Sequence, residues 1–124
     1  MTALSWAAFA AAAAAGAALR YLVDGWVAER TAGAFPWGTL VVNASGSFLA
    51  GLVAGWALYR GLGPAPRTVL ATGFCGAYTT FSTFSFETVR LVEQGAVAEA
   101  ARNVGSTAVA GALAAAAGLV LTAL

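Results

Sequence analysis

The residues of this chain that could do chemistry form a hydroxyl-rich stretch inside an otherwise apolar segment. Five Ser or Thr residues occur between Thr79 and Ser85, and Gly73 and Gly76 come just before them. Gly and β-branched Thr form helices less readily than Ala, and hydroxyl groups compete for backbone hydrogen bonds. We therefore expect a helical break near residues 76–79. The alternative is a continuous helix whose hydroxyls bond to its own backbone.

Such a break would have chemical consequences if it lay at membrane depth. The freed backbone groups would have to face protein or a polar cavity, and freed carbonyls of broken helices can hold a cation. Phe81 and Phe84 are three residues apart and so share a helix face. Ordinary packing is the usual meaning of such a pair, but the positive edge of a ring can also contact an anion.

A second polar feature is a stripe at helical spacing that contains Thr39, Asn43 and Ser47. The Asn43 amide donates two N–H bonds without carrying a charge. A polar amide inside a membrane span is costly unless it has a partner, so Asn43 is a candidate site residue. The alternative is a hydrogen bond between helices, worth about 1 kcal/mol.

The amino-acid composition indicates that these polar features lie within a membrane protein. Of the 124 residues, 60% are hydrophobic and 9% are charged, whereas soluble domains carry about 25% charged residues. A chain this short forms one domain, 1–124, and cannot bury so much apolar surface in a soluble core. The chain has no His, a single Cys and a net charge of +1. These counts argue against an enzyme, a cysteine-based metal site and nucleic-acid binding.

The positions of the charged residues predict four membrane-spanning helices. Charged side chains are missing from windows 1–19, 31–59, 68–86 and 103–124, and a span needs roughly 20 mainly apolar residues. We expect an all-α integral membrane protein with spans 2–23, 37–59, 67–93 (the third, broken near 76–79) and 98–123. The predicted spans leave two Arg residues on one side of the membrane and four on the other. This difference is too small to decide between a single orientation and insertion in both orientations.

Three motifs resemble those of a known family. Residues 38–51, GTLVVNASGSFLAG, and residues 73–85, GFCGAYTTFSTFS, look like the second- and third-helix signatures of the small fluoride channels, the CrcB or Fluc family. Residues 16–21, GAALRY, resemble its first-helix motif. The three motifs occur in the right order and spacing and cover about a quarter of the chain. The third-helix motif is highly specific.

The resemblance implies a multi-pass protein of the prokaryotic inner or plasma membrane that exports cytoplasmic fluoride. It implies an antiparallel, dual-topology homodimer with a structural Na⁺ at its centre, held by the backbone carbonyls of Gly76 and Thr79. The residues that the resemblance places along the fluoride path are Asn43, Phe81, Ser82, Thr83, Phe84 and Thr107. The residues that it places at the aqueous vestibule are Arg20 and Glu87.

One position departs from the family pattern. Where Asn103 aligns, the family often has a tyrosine, and hydroxyls expected one and two turns later fall at Thr107 and Gly111. Only the first of these two positions therefore carries a hydroxyl. The sequence does not decide which residues of the fourth helix contact an ion.

Two other functions compete with the fluoride channel. A proton-coupled small multidrug transporter is also a four-span dual-topology dimer, but its coupling needs a carboxylate inside the first span, and residues 1–19 have none. A membrane assembly subunit without transport activity would use the same polar stripes only to join its helices.

Overall fold

A computed structural model describes all 124 residues, and the chain is all-helical, as predicted. The first two helices are α1 (Ala3–Ala28) and α2 (Trp37–Arg60). A short α3 (Pro64–Arg67) continues into a π-helix (Thr68–Cys75) and then into α4 (Gly76–Tyr78). The last two helices are α5 (Phe81–Glu93) and α6 (Val97–Ala123).

Three of the helices are long and apolar enough to cross a membrane, namely α1, α2 and α6. The 24 residues of α2 measure about 36 Å at 1.5 Å per residue, which exceeds the roughly 30 Å of a bilayer's hydrocarbon core. Large apolar side chains of α6, among them Val109, Leu113 and Val120, point away from the protein. The chain is therefore a multi-pass membrane protein. The predicted third span, 67–93, corresponds to the run from α3 to α5.

Local sequence signals account for the helix ends. Thr2 caps α1, because its hydroxyl accepts a hydrogen bond from the Ser5 N–H at 3.2 Å. Helix α2 stops at Gly61, whose φ of 71° is a left-handed conformation that glycine adopts without strain. Pro64 then stands at the start of α3, where its missing N–H has no helical partner to lose.

The third segment changes its winding twice. Its middle, Thr68–Cys75, is a π-helix, and the sequence pattern did not predict this. Helical geometry ends at Tyr78, and Thr79 (φ −77°, ψ 161°) and Thr80 (φ −145°, ψ 121°) are extended before α5 begins at Phe81. Gly76 itself is helical. Of the predicted interval 76–79, only Thr79 is extended, and Thr80 follows directly after the interval.

Glycines allow the helices to approach closely. At the contact between α2 and α6, a Cβ built on Gly51 would clash with the Ala115 carbonyl, and one on Gly118 would clash with the Phe48 carbonyl. At the contact between α1 and the π-helix, a Cβ on Gly16 would clash with the Phe74 carbonyl. Close backbone approach of this kind is how membrane helices gain packing energy without a hydrophobic driving force.

We predict that Gly118→Ala destabilises the protein, because the added methyl must push the α2 backbone away from α6. The expected cost is about 1–3 kcal/mol, measured as a lower midpoint of thermal unfolding in detergent. Gly105→Ala is the matched control in the same helix, since nothing lies within 4 Å of a Cβ there. Equal midpoints for the two variants would contradict the close contact.

Candidate functional site

A groove of about 470 Å³ runs beside the extended pair Thr79–Thr80. Its walls come from α2, α5 and α6, and it brings together four residues of the predicted path: Asn43, Phe81, Phe84 and Thr107. The remaining lining residues are Ser47, Thr79, Thr80, Val104 and Ala108. The lining therefore carries amide and hydroxyl groups and two aromatic rings, but no ionisable side chain.

Asn43 pairs with the backbone of Thr80 through two hydrogen bonds. The Thr80 N–H donates to Asn43 Oδ1 at 2.8 Å, and Asn43 Nδ2 donates to the Thr80 carbonyl at 3.0 Å. The two bonds fix the orientation of the amide, because only its oxygen can accept from an N–H. The pairing supplies partners for both polar groups of the extended residue and leaves one N–H of Nδ2 available. Sequence reasoning anticipated Asn43 but not this use of it.

The two phenylalanines occupy the start of α5. Their ring centroids are 5.9 Å apart and the ring planes are inclined by 45°. Phe84 is half-buried, whereas Phe81 is 78% exposed in the single chain. Both rings line the groove, and the edge of an aromatic ring carries the positive end of its quadrupole.

Ser82 and Thr83 do not line the groove, although the resemblance implied a place in the path for them. Thr80 stands between them and the groove: its Oγ1 accepts a hydrogen bond from the Thr83 N–H at 3.1 Å and so caps α5. It also donates to Thr83 Oγ1 at 3.0 Å and lies 3.3 Å from Ser82 Oγ. Thr80 is a site residue that the sequence analysis missed, and the Thr-x-x-Thr spacing before an apolar helix was the signal that could have found it.

The two carbonyls considered for a cation have different surroundings. The N–H of Thr80, four residues after Gly76, donates to Asn43 and not to the Gly76 carbonyl. The Gly76 carbonyl is thus released from its helical bond on an exposed residue. The Thr79 carbonyl accepts a hydrogen bond from Arg20 Nη1 at 3.3 Å, which still leaves it one lone pair.

The two predicted vestibule residues lie apart. Arg20 is half-buried against Thr79. Glu87 instead lines a separate cavity of about 300 Å³, together with Arg90, Gln94 and the loop before α2. Its Oε1 accepts a hydrogen bond from Thr39 Oγ1 at 2.9 Å. The structure therefore places Arg20 beside the extended pair and Glu87 at a polar pocket of its own.

Comparison with known proteins shows the family of this chain. Residues 7–119 match the family model described as CrcB-like protein, Camphor Resistance (CrcB). The chain belongs to the CrcB family. A Frankia casuarinae protein named fluoride-specific ion channel FluC 1 is 48% identical over 123 residues, which cover 95% of each chain. A Streptomyces avermitilis protein of the same name is 44% identical over 116 residues, 94% of each chain. The FluC of Methylocella silvestris is 41% identical over 97 residues, 76% of this CrcB-family chain and 74% of that protein.

We predict that Asn43→Leu destabilises the protein more than Asn43→Asp does. Leucine leaves the N–H and C=O of Thr80 without partners, at about 1–3 kcal/mol for each buried group. Aspartate in its protonated form keeps both an oxygen that accepts from the Thr80 N–H and an O–H that donates to the Thr80 carbonyl. Thermal unfolding in detergent measures both variants. If Asn43→Leu unfolded at the wild-type temperature, Asn43 would not be holding the extended pair.

Proposed function

We propose that this chain forms a fluoride-selective channel, through which fluoride leaves the cytoplasm down its electrochemical gradient. One observation carries the proposal: a groove without ionisable groups in which an Asn43 amide N–H, the Ser47 hydroxyl and two phenylalanine rings meet. Membership of the CrcB family, whose relatives are named fluoride-specific ion channels, supports it.

The polarity of the groove suits a small, strongly hydrated anion. Fluoride loses its water at a high cost, so a conducting site must replace those hydrogen bonds with fixed donors. Asn43 and Ser47 bring such donors to the groove, and Phe81 and Phe84 bring aromatic rings. A fully charged side chain would hold the anion too strongly, since conduction requires release as well as entry.

The extended pair serves as the break of the third span in this proposal. Within a bilayer, an irregular backbone is tolerated only where protein or a cavity satisfies its polar groups. Asn43 does so for Thr80, and Arg20 does so for the Thr79 carbonyl. Both partners come from other helices, which supports a membrane-depth break that is built into the fold.

We propose that the working unit is an antiparallel homodimer in dual topology. The exposure of Phe81 and of Gly76 supports a second copy, because a facing copy would cover both residues. The arginines support insertion both ways: Arg60 and Arg67 lie on one side of the proposed spans and Arg20, Arg30, Arg90 and Arg102 on the other, a weak bias.

A sodium ion between the two copies fits the carbonyls of Gly76 and Thr79. Hard cations are held by several oxygen ligands at once, so the two carbonyls of one chain would not suffice. Two facing copies would offer four carbonyls, of which the Gly76 pair is released from helical bonding. The ion would supply a fixed positive potential near the groove.

The competing functions lack comparable support. A carboxylate does occur in α1, since this helix continues past the predicted end at residue 23 and includes Asp24. Asp24 lies beside Gly38, at the start of α2, and so near the end of the span and away from its middle. A membrane assembly subunit would explain the bond between Asn43 and Thr80, but not a groove with unused donors.

Ion efflux from liposomes tests the proposed function. Liposomes loaded with fluoride and containing the purified protein should release fluoride far faster than empty liposomes, and an ion electrode records the release. Chloride-loaded liposomes should show no release above the empty control. Fluoride release at the empty-liposome rate, or equal release of both halides, would overturn the channel.

Sodium removal tests the central ion separately. Exhaustive dialysis against N-methylglucamine salts should lower fluoride flux and also lower stability by about 2–3 kcal/mol, the expected effect of losing a ligand present at about 100 times its dissociation constant. Returning sodium should restore both. If neither the flux nor the unfolding temperature responded to sodium, the proposed sodium site would be wrong, and the proposed channel function would be unaffected.

A further inference from the structure

A fully buried amide joins two walls of the groove from behind. Asn103, in the first half of α6, has no exposed surface, and it does not line the groove. A buried polar side chain is costly unless its groups are paired. Both ends of this amide have partners, and the two partners lie on different helices.

The bonds around Asn103 form one continuous chain. The Thr107 hydroxyl donates to Asn103 Oδ1 at 3.5 Å, and Asn103 Nδ2 donates to Thr88 Oγ1 at 2.9 Å. The Thr88 hydroxyl donates in turn to the Phe84 carbonyl at 2.7 Å. Because Thr88 has given its proton to Phe84, its oxygen can only accept from Asn103. The direction of every donor in the chain is thereby fixed.

Both ends of the chain are groove residues. Thr107 lies in the α6 wall and Phe84 in the α5 wall, and Asn103 is the residue through which side-chain hydrogen bonds connect them. We infer that Asn103 is a positioning residue that sets the spacing between Phe84 and Thr107 and thereby the size of anion the groove accepts. This inference rests on the proposed channel function.

Other hydroxyls in these helices do not make such a connection. Ser85 Oγ donates to the Phe81 carbonyl at 2.9 Å within α5, and Ser106 donates to the Arg102 carbonyl within α6. Each of these bonds stays inside one helix, so its loss leaves the distance between the walls unchanged. The bond from Asn103 to Thr88 crosses between α6 and α5. Its loss therefore changes the distance between the walls.

The experiment measures fluoride and chloride efflux from liposomes that contain wild type, Asn103→Leu, Thr88→Val or the double variant. Leucine and valine keep the branching and the number of heavy atoms of the side chains and remove the bond, so the walls are no longer held at a fixed spacing. We expect the ratio of chloride to fluoride flux to rise about tenfold in each single variant, the size of effect that loss of one buried hydrogen bond produces. The double variant should change no more than either single one, because both remove the same link.

The flux ratio separates positioning from general stability. A smaller folded fraction lowers both fluxes together and leaves their ratio unchanged, whereas a displaced wall changes the ratio. Ser85→Ala is the matched control and should keep the wild-type ratio. If Asn103→Leu does not fold, Thr88→Val still cuts the chain at its next link.

Each outcome decides between the two ideas. If wild type releases fluoride selectively and both Asn103→Leu and Thr88→Val keep its ratio, Asn103 does not position the walls and the channel stands. If Ser85→Ala shifts the ratio as much as Thr88→Val does, the effect is not specific to the crossing bond and the inference fails. If wild type releases no fluoride, the proposed function fails and the inference fails with it.

Discussion

Backbone polar groups that leave a helix and are buried away from water must find partners within the protein, and the extended pair Thr79–Thr80 of this chain depends on that constraint. Thr80 is extended, so neither its N–H nor its carbonyl has a helical partner. The Asn43 amide bonds both groups, in the way a neighbouring strand would. Because this pairing holds the extended residue in place, α5 can start at Phe81 and carry its two rings to the groove.

The rest of the molecule brings the pairing residues within reach of each other. Glycines at the α2–α6 contact remove the side chains that would keep these helices apart, and Gly16 does the same where α1 crosses the π-helix. Arg20, one turn beyond Gly16, then reaches the Thr79 carbonyl. Close packing and polar satisfaction are therefore coupled, since a wider helix spacing would leave the carbonyl without its donor.

Much of this arrangement was predictable, because hydropathy and residue type are local properties. Charge-free windows indicated the membrane helices, and a lone amide in an apolar helix marked Asn43 as a site residue. What sequence reasoning missed depends on partners far along the chain. The pairing of Asn43 with Thr80 joins residues 37 positions apart, and the burial of Asn103 depends on Thr88 in another helix. The π-helix has no residue pattern of its own, since its Thr, Val, Leu and Ala residues also suit an α-helix.

The separation between Asn43 and Thr80 also has a consequence in time. A ribosome adds about 5–20 residues per second, so the 37 positions that separate the two residues correspond to roughly 2–7 s of synthesis. During that interval α2 exists while its amide has no partner, and a bare amide is poorly tolerated in hydrocarbon. The pairing can therefore form only after synthesis has passed Thr80, and until then the Asn43 amide must take its hydrogen bonds from another source. The bond that organises the finished protein is thus absent when its second helix is first made.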